Sequence, residues 1–260
     1  MAKQNIQSSN RVKVLWDSLQ DLQKVFTQSD FLAAARQHAK GKLTIQEKII
    51  LLFDSGTFSE DLAPSRELDS RHGERRILTG YGRINNRLVS AAIFDSSIAA
   101  GALNPDMGEK LLKHMRRSEE NRCPLLIDWD CGGGDIRSGI MVMDIFGRIF
   151  TQINEISGRI PTLSIVSGLN AGGAAYASVM TDTVIMIDGS MMAVTGPVVI
   201  KVATGEEVTP DEMGGAQLHA EKSGEAHYRV PDYRTAAQLA RRYLSYLPQS
   251  MFDFPPKAQT

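Results

Sequence analysis

The sequence predicts an α/β fold, and the main observation is a unit of buried strand, glycine-rich turn and helix that occurs twice. In the first unit, a strand over residues 125–129 leads through glycines to a helix over residues 137–156. In the second, a strand over residues 161–167 leads through glycines to a helix over residues 174–180. A third buried strand follows over residues 183–187. Strands that alternate with helices in this way form a parallel sheet with crossover connections.

The segment that precedes these units is expected to form an N-terminal helical arm over residues 1–60. A helix over residues 31–40 follows a candidate cap, Asp30, and another over residues 45–53 follows Thr44. The first helix of the arm is predicted from apolar residues at helical spacing on one face, namely Val12, Leu15, Leu19, Leu22 and Phe26. An arm of this kind is expected to pack on a neighbouring chain or on its own core.

A hairpin and a helix are expected between the arm and the first unit. Residues 77–84 and 88–94 have the pattern of strands, and the two consecutive asparagines between them are a hairpin turn signal. Asn104 can cap a helix over residues 105–120, which begins with proline as many helices do.

The expected domain covers residues 61–250 and ends with a helix over residues 235–247. A segment with several glycines, residues 195–216, is expected to form turns and short helices that line a pocket or a subunit contact. Residues 251–260 contain two prolines and are expected to form a flexible tail.

Composition and charge exclude several functions. The chain has 260 residues and a formal net charge of −1, which does not favour non-specific binding to nucleic acid. No apolar run approaches the length of a membrane span, and residues 1–10 are too polar for a secretory signal. The two cysteines, Cys123 and Cys131, cannot form a disulfide framework, and the five histidines show no metal-binding spacing. We therefore expect a cytoplasmic protein without a metal site.

The two glycine turns are the most informative part of the sequence. The first glycine turn is residues 130–135 and the second is residues 168–174. Free N–H groups at a helix start carry partial positive charge, so two such turns side by side can form an oxyanion hole. Alternatively, the glycines only permit tight packing of strand against helix, and both interpretations stay open. Neither turn has the residues of a phosphate-binding loop or a dinucleotide fingerprint.

A cysteine nucleophile is the weaker interpretation of the first glycine turn. Cys131 lies in it, but no histidine is near in sequence. A buried cysteine that packs as a small hydrophobe is therefore preferred.

Several motifs then resemble a known family, the β subunits of biotin-dependent acyl-CoA carboxylases and the related decarboxylases. They occur in the family's order over roughly residues 36–250: QHAKGKLT at 37–44, residues 51–58, residues 80–82, residues 170–182, a run at 194–227 with VTGPVVIKVATGEEVT, GGAQLH and SGEAH, and residues 243–248. The resemblance covers only the N-terminal half of such subunits.

The resemblance implies a crotonase-like fold of repeated strand-strand-helix units that holds an acyl-CoA thioester in an oxyanion hole. By this analogy the donors of the hole are the N–H groups of Gly133 and Gly134 in the first turn, and of Gly172 and Gly173 in the second. Stabilising the enolate-like oxygen is the main catalytic task, and no side-chain nucleophile is required. The expected substrate-binding residues are Lys48, Ala100, Gly101, Asp135, Ala174 and Tyr176.

Three departures from the family pattern bear on function. The second half of the family's subunits, which holds carboxybiotin, has no counterpart in these 260 residues. The family's Asp-Ser-Gly-Gly-Ala-Arg motif has Cys131, Gly134 and Asp135 in place of serine, alanine and arginine, which could alter substrate choice or prevent transfer. The family's Gly-Gly-Ser-Leu-Gly-Glu loop is residues 100–105 here, and Lys48 keeps one of the charges expected near the CoA phosphates.

Four functions follow from this pattern. The leading one is a carboxyltransferase component that binds no cofactor itself and works with a second half and a biotin carrier. The second is a biotin-independent decarboxylase of malonyl or methylmalonyl thioesters on CoA or a carrier protein. The third is a non-catalytic assembly subunit. A hydratase or isomerase ranks last, because its nearest candidate glutamate, Glu155, lies well down a helix. A homo-oligomer, such as a trimer, or a hetero-oligomer is expected.

Overall fold

The computed structural model of the chain describes residues 34–61, 77–97 and 99–257, which fall into two compact units, residues 1–44 and 45–260. In the first unit, residues 34–38 are helical. The helix expected from Val12 to Phe26 lies outside the described residues, as does the start of the one expected over residues 31–40.

One sheet and a set of helices make up the second unit. The strands are β1 (Ser59–Asp61), β2 (Ile77–Ile84), β3 (Arg87–Phe94), β4 (Leu125–Cys131), β5 (Thr162–Ala171), β6 (Thr183–Ile187), β7 (Met191–Ala193) and β8 (Tyr228–Val230). The α-helices are α1 (Ile45–Leu52), α2 (Pro105–Glu120), α3 (Ile140–Ile156), α4 (Gly173–Val179), α5 (Pro197–Thr204), α6 (Pro210–Gly214), α7 (Ala216–Leu218) and α8 (Tyr233–Tyr246). Short 3₁₀ turns span Ala99–Gly101 and Ile136–Ser138, and a π-helical turn spans His219–Ser223.

The sheet is mixed, with an antiparallel part followed by a parallel part. Its order is β1-β2-β3-β4-β5-β6-β8, and β7 pairs with β5 beyond this path. The pairs β1–β2 and β2–β3 are antiparallel, while every later pair is parallel. Asn85 and Asn86 have φ values of 52° and 63°, which is the backbone that a two-residue hairpin turn requires. The expected α/β class and the expected hairpin are thus confirmed.

The core lies between the middle of the sheet and the helices α2 and α3. Its largest fully buried side chain is Trp129 on β4, whose ring stacks on Phe94 with 5.1 Å between the ring centroids. The indole Nε1–H donates to the Ser164 hydroxyl on β5 at 2.9 Å, which satisfies the one polar atom of the ring. Every residue of β4 is buried, so the first glycine turn starts from a fixed strand.

Helix α2 begins where the sequence predicts. The side chain of Asn104 accepts a hydrogen bond from the N–H of Met107 at 2.9 Å, and Pro105 occupies the first helical position. The next helix differs from expectation: Gly139, with a φ of 55°, separates a 3₁₀ turn from α3, where one continuous helix was expected. Strand β5 is also longer than expected, since it runs through Gly168 to Ala171.

The boundary of the arm also differs from the expected residue 60. The chain divides after Thr44, so α1 and β1 belong to the second unit. Strand β1 pairs with β2, and the guanidinium of Arg241 on α8 donates to the carbonyl of Leu52 at 2.8 Å and to Asp54 at 2.6 Å. Helical spacing alone does not show which element a helix packs on. For this reason the sequence-based prediction placed α1 in the arm.

The described part of the tail, residues 251–257, has no regular secondary structure. Its first residue is nevertheless attached to the domain, because the Met251 N–H donates to the Arg159 carbonyl at 2.8 Å.

Candidate active site

The two glycine turns lie next to each other at one edge of the sheet. Strands β4 and β5 are parallel neighbours, so the turns that follow them emerge on the same side. Cys131 at the end of β4 is in register with Asn170 near the end of β5. A Cβ added to Gly133 would lie 2.9 Å from the carbonyl oxygen of Ala171, so the two backbones are in contact. The contact places the two turns side by side, which a shared oxyanion hole requires.

The first glycine turn is fastened to residues 100–103. The N–H groups of Gly132 and Asp135 each donate to a backbone oxygen of that segment at 2.8 Å, and the Gly133 carbonyl accepts an N–H from it at 2.8 Å. Among the described residues, the N–H groups of Gly133 and Gly134 meet no acceptor. The turn therefore keeps two donors available while its other polar groups are bonded.

The fastening segment has an unusual backbone. Ala99, Ala100 and Gly101 have φ values of 47°, 54° and 67°, so three successive residues lie in the left-handed region. Each alanine there costs on the order of 1 kcal/mol relative to ordinary backbone. A Cβ on Gly101 would lie 2.2 Å from the carbonyl oxygen of Asp130, so only glycine fits this approach to β4. The expected substrate residues Ala100 and Gly101 thus lie at the site, where their backbone supports the first turn.

The second glycine turn is fastened to β7 instead. The Gly172 N–H donates to the Ala193 carbonyl at 3.0 Å, so Gly172 is not an available donor, contrary to expectation. The next two N–H groups, those of Gly173 and Ala174, begin α4 and have no acceptor within the described parts of the chain. Because Gly172 caps the helix, the N–H groups that this turn leaves without an acceptor among the described residues are those of Gly173 and Ala174.

Glycine is also required at both turns by packing. A Cβ on Gly134 would lie 2.8 Å from Val142, and one on Gly173 would lie 2.6 Å from the ring of Phe146. Both contacted side chains belong to α3. The two interpretations offered by the sequence therefore apply together, since the same glycines pack tightly on α3 and keep N–H groups available.

One of the two acidic residues of the first turn, Asp135, is paired with a cation that the sequence analysis missed. The Arg137 guanidinium donates to both carboxylate oxygens of Asp135, at 2.9 Å and 2.6 Å. This bond raises the pKa of Arg137. Asp135 is buried and Arg137 is exposed, so the negative charge beside the turn is offset from the solvent side. The pair could have been predicted from the sequence, because Asp135 can cap a helical turn and Arg137 follows it by two residues.

Lys48 is placed differently from the expected phosphate contact. Its side chain is only 6% exposed, with Nζ 3.2 Å from Asp128 and 2.9 Å from the Ser167 hydroxyl. The Tyr233 hydroxyl donates to the same carboxylate, at 2.5 Å, and burial followed by the Asp128 charge raises the pKa of Tyr233 well above its usual value. Lys48 thus ties α1 to the sheet, and its ammonium is buried and engaged rather than exposed to a phosphate.

A cavity of about 300 Å³ opens beside α4. Tyr176 and Val179 of α4 form one wall, and Val194, Ile200 and Met213 form much of the other. The expectation that residues 195–216 line a pocket is confirmed for this segment. Ala174 is buried at the helix start, while Tyr176 is exposed and meets Phe150 edge to face with 6.1 Å between centroids.

Large apolar side chains are exposed on three elements, the 3₁₀ turn Ile136–Ser138, α3 and α5, and we call these residues the apolar rim. Exposure reaches 91% at Ile136 and 84% at Val202. The rim consists of Ile136, Ile140, Met141, Met143, Val198, Val199 and Val202. Exposed apolar patches are typical of interaction surfaces.

Cys131 is buried in the first turn, its thiol 3.5 Å from the Gly133 carbonyl, as expected of a cysteine that packs as a small hydrophobe. Within residues 34–61, 77–97 and 99–257, no three His, Cys, Asp or Glu side chains are grouped to hold a metal ion. In the same ranges, no helix has the length and apolar character to cross a membrane.

Comparison with known proteins agrees with this geometry. Residues 36–260 match the family described as the carboxyl transferase domain. The propionyl-CoA carboxylase beta chain of Saccharopolyspora erythraea is 37% identical over 233 residues, which is 86% of this chain and 42% of that protein. The methylmalonyl-CoA decarboxylase subunit alpha of Propionigenium modestum is 34% identical over 251 residues, or 92% of this chain and 48% of that protein.

Comparison with solved structures identifies the fold. The transcarboxylase 12S structure with hydrolyzed methylmalonyl-coenzyme A bound superposes with a TM-score of 0.82 at 33% identity, over 86% of this chain and 45% of that chain. This likeness confirms the crotonase-like α/β fold. The chain spans less than half the length of these relatives. With a family match that covers most of its residues, the chain belongs to the carboxyl transferase domain family.

Proposed function

We propose that the chain is the acyl-CoA-binding half of a carboxyltransferase that moves a carboxyl group between carboxybiotin and an acyl-CoA. The observation that carries this proposal is the contact between the two glycine turns, each with N–H groups that meet no acceptor among the described residues. Family membership supports the same reaction class.

The proposed role of the turns is to stabilise the thioester oxygen as it gains charge. One N–H from Gly133 or Gly134 and one from Gly173 would donate to the oxygen, more strongly in the enolate than in the thioester. Each such donor is worth about 3 kcal/mol of activation free energy. Since buried β4 and paired β5 hold the turns, the donors need no rearrangement before reaction.

We assign the acyl group to the cavity beside α4, which Tyr176 lines close to the second turn. With Lys48 buried, we assign the CoA phosphates to Arg137, the exposed cation beside the first turn. Arg137→Ala is expected to weaken propionyl-CoA binding several-fold in calorimetry, and less at high salt. Arg116→Ala, a cationic control on α2 bonded to Gln152, should leave the affinity unchanged.

A partner is part of the proposal. Carboxybiotin would supply or accept the carboxyl group, and the apolar rim leaves this edge of the chain exposed, which fits a group brought by another chain. The relatives are more than twice as long as the matched region, so we propose a second carboxyltransferase half and a biotin carrier as partners, in a homo- or hetero-oligomer.

A biotin-independent decarboxylase is the second candidate. The same two turns favour it, because decarboxylation of a thioester would need their N–H donors and neither biotin nor a second half. In that reaction the carbon–carbon bond to the carboxylate breaks, its electron pair forms the enolate, CO₂ leaves and the α-carbon takes a proton. The donors would again hold the oxygen.

One experiment tests both candidates. The purified chain is incubated with methylmalonyl-CoA without biotin or partner, and products are separated by chromatography while binding of propionyl-CoA is measured by calorimetry. Binding without turnover supports the half-enzyme, and formation of propionyl-CoA supports the decarboxylase. No binding of either thioester would contradict both and leave the non-catalytic subunit.

A further inference from the structure

His219 lies behind the second glycine turn, at the start of the π-helical turn that follows α7. The residue is buried, and its ring Nε2 is 2.7 Å from the carbonyl oxygen of Met192 on β7. A carbonyl can only accept, so Nε2 carries the hydrogen of this bond. The other ring nitrogen, Nδ1, is 2.7 Å from the Glu225 carboxylate and 2.9 Å from the Ser223 hydroxyl. The imidazole is therefore oriented from both sides.

The bonded strand is the one that holds the second turn. Met192 and Ala193 are successive residues of β7, and the Ala193 carbonyl accepts the Gly172 N–H at 3.0 Å. Successive carbonyls of a strand point to opposite edges, so His219 holds the outer edge while Gly172 is bonded to the inner one. A displacement of β7 would displace Gly172 and, with it, the first N–H of α4.

On its outer edge, strand β7 meets the chain around α6. It is three residues long, and among the described residues an isolated bridge joins Met191 to Gly215. A Cβ on Gly214 would lie 2.3 Å from the Met192 carbonyl oxygen, so the chain leaves this carbonyl open to the imidazole. The imidazole of His219 adds a side-chain hydrogen bond to this edge of the strand.

The same histidine connects the turn to the cavity beside α4. Glu225, 50% exposed at its side chain, lines that cavity and binds Nδ1. The series of contacts runs from the cavity through Glu225, His219 and β7 to Gly172.

We propose that His219 is a positioning residue that fixes, through β7, the direction of the Gly173 N–H toward the thioester oxygen. The expected effect of His219 on a bound thioester rests on the proposed function. The expected effect of His219 on β7 is independent of it. Removing the imidazole donor is expected to lower the catalytic constant about 10- to 100-fold with little change in the Michaelis constant, because a small misplacement of a donor weakens the transition state most.

The test compares three full-length variants with the wild type. His219→Gln keeps an N–H that can reach Met192, and His219→Leu removes it at similar volume. His227→Leu is the matched control, since the His227 ring accepts the Val184 N–H of β6 at 3.2 Å and, in the described part of the chain, makes no hydrogen bond to β7 or the second turn. Two quantities are measured: amide hydrogen exchange of Gly172 by NMR, and the infrared carbonyl stretch of bound propionyl-CoA.

We expect His219→Leu to raise Gly172 exchange about tenfold or more and to move the carbonyl stretch toward its value in water. His219→Gln should restore both, and His227→Leu should change neither. Unchanged Gly172 exchange in His219→Leu would overturn the proposal. If that variant does not fold, His219→Asn, whose shorter amide falls short of Met192, takes its place under the same criterion.

The outcomes separate this inference from the proposed function. Faster Gly172 exchange in the variant, with no thioester binding by the wild type, supports the positioning of β7 and contradicts the proposed function. Thioester binding by the wild type, with a carbonyl stretch that is the same in His219→Leu, contradicts the positioning role and leaves the proposed function standing.

Discussion

The two glycine turns offer similar N–H groups but are held by different means. The first is fastened to residues 100–103, next to three successive left-handed residues at 99–101, and its Asp135 is paired with an exposed arginine. The second is fastened by a strand pairing with β7 and continues into a regular helix. The two turns therefore reach the same edge of the sheet on different supports, an irregular loop in the first case and a strand pairing in the second.

The largest expected effect breaks the contact between the turns. Gly133 has a φ of 93°, and a Cβ there would lie 2.9 Å from the Ala171 carbonyl, so Gly133→Val should force the turns apart. We expect thioester turnover to fall about 100- to 1,000-fold, the effect of losing one donor. The infrared carbonyl stretch of bound propionyl-CoA should also move toward its value in water. Turnover and the infrared spectrum are measured on the same variant.

Gly147→Ala is the control for that variant. Gly147 lies inside α3, and a Cβ there meets no atom within 4 Å. Alanine should raise the free energy of unfolding by about 0.5–1 kcal/mol and leave turnover unchanged. Equal losses in both variants would contradict a special role for the turn.

A double variant separates packing from hydrogen bonding in the second turn. Gly173→Ala keeps the N–H but places a Cβ 2.6 Å from the Phe146 ring, so it should cost about 1–3 kcal/mol of stability by overpacking, together with activity. Phe146→Leu in the same chain should make room and restore activity relative to Gly173→Ala alone. If activity stayed lost in the double variant while Phe146→Leu alone was active, the donor assignment to Gly173 would fail.

Acid should lower the free energy of unfolding of the domain and affect both turns alike. Burial is the main cause that lowers the pKa of His114 to about 4 from 6.5, although Asp61 opposes the shift. Between these values the unfolded chain binds a proton that the folded chain does not, so stability falls as the pH falls from about 6.5 to about 4. The loss is at most about 3 kcal/mol.

Urea unfolding across this pH range measures the effect. His114→Gln should flatten the curve, whereas a curve of unchanged slope would mean that other groups cause the acid loss.

The smallest effects have opposite signs in the elements that adjoin the two turns. Ala100 supports the first turn with a φ of 54°, so Ala100→Gly should raise the free energy of unfolding by about 0.5–1 kcal/mol. Ala177 lies inside α4, so Ala177→Gly should lower it by about 1 kcal/mol or more. Denaturant midpoints of both variants test this prediction. It would be wrong if both substitutions changed the free energy of unfolding in the same direction.

The sequence predicted the elements with strong local signals and missed those without. Thr183–Ile187 and the capped helix Pro105–Glu120 have the expected bounds, because a buried β-branched run and an Asn-Pro start are local features. Strand β7 has three residues and no pattern, so the bond that occupies the Gly172 N–H could not be foreseen.

The candidate site was predicted in its backbone but less so in its side chains. The contact between the turns follows from neighbouring parallel strands, which sequence order suggests. The partners of Lys48 and the role of His219 depend on residues far away in the chain, 80 positions to Asp128 in the first case and 27 to Met192 in the second.

The attachment of α1 has a consequence for how the chain folds during synthesis. Helix α1 is bound by Arg241 of α8 through Leu52, 189 residues away, and by Tyr233 through the carboxylate it shares with Lys48. Contacts of such long sequence separation form late, because the intervening chain must be ordered first. On the ribosome, α1 therefore emerges among the first helices of its unit and docks among the last, and the buried place of Lys48 is completed only when α8 has left the exit tunnel.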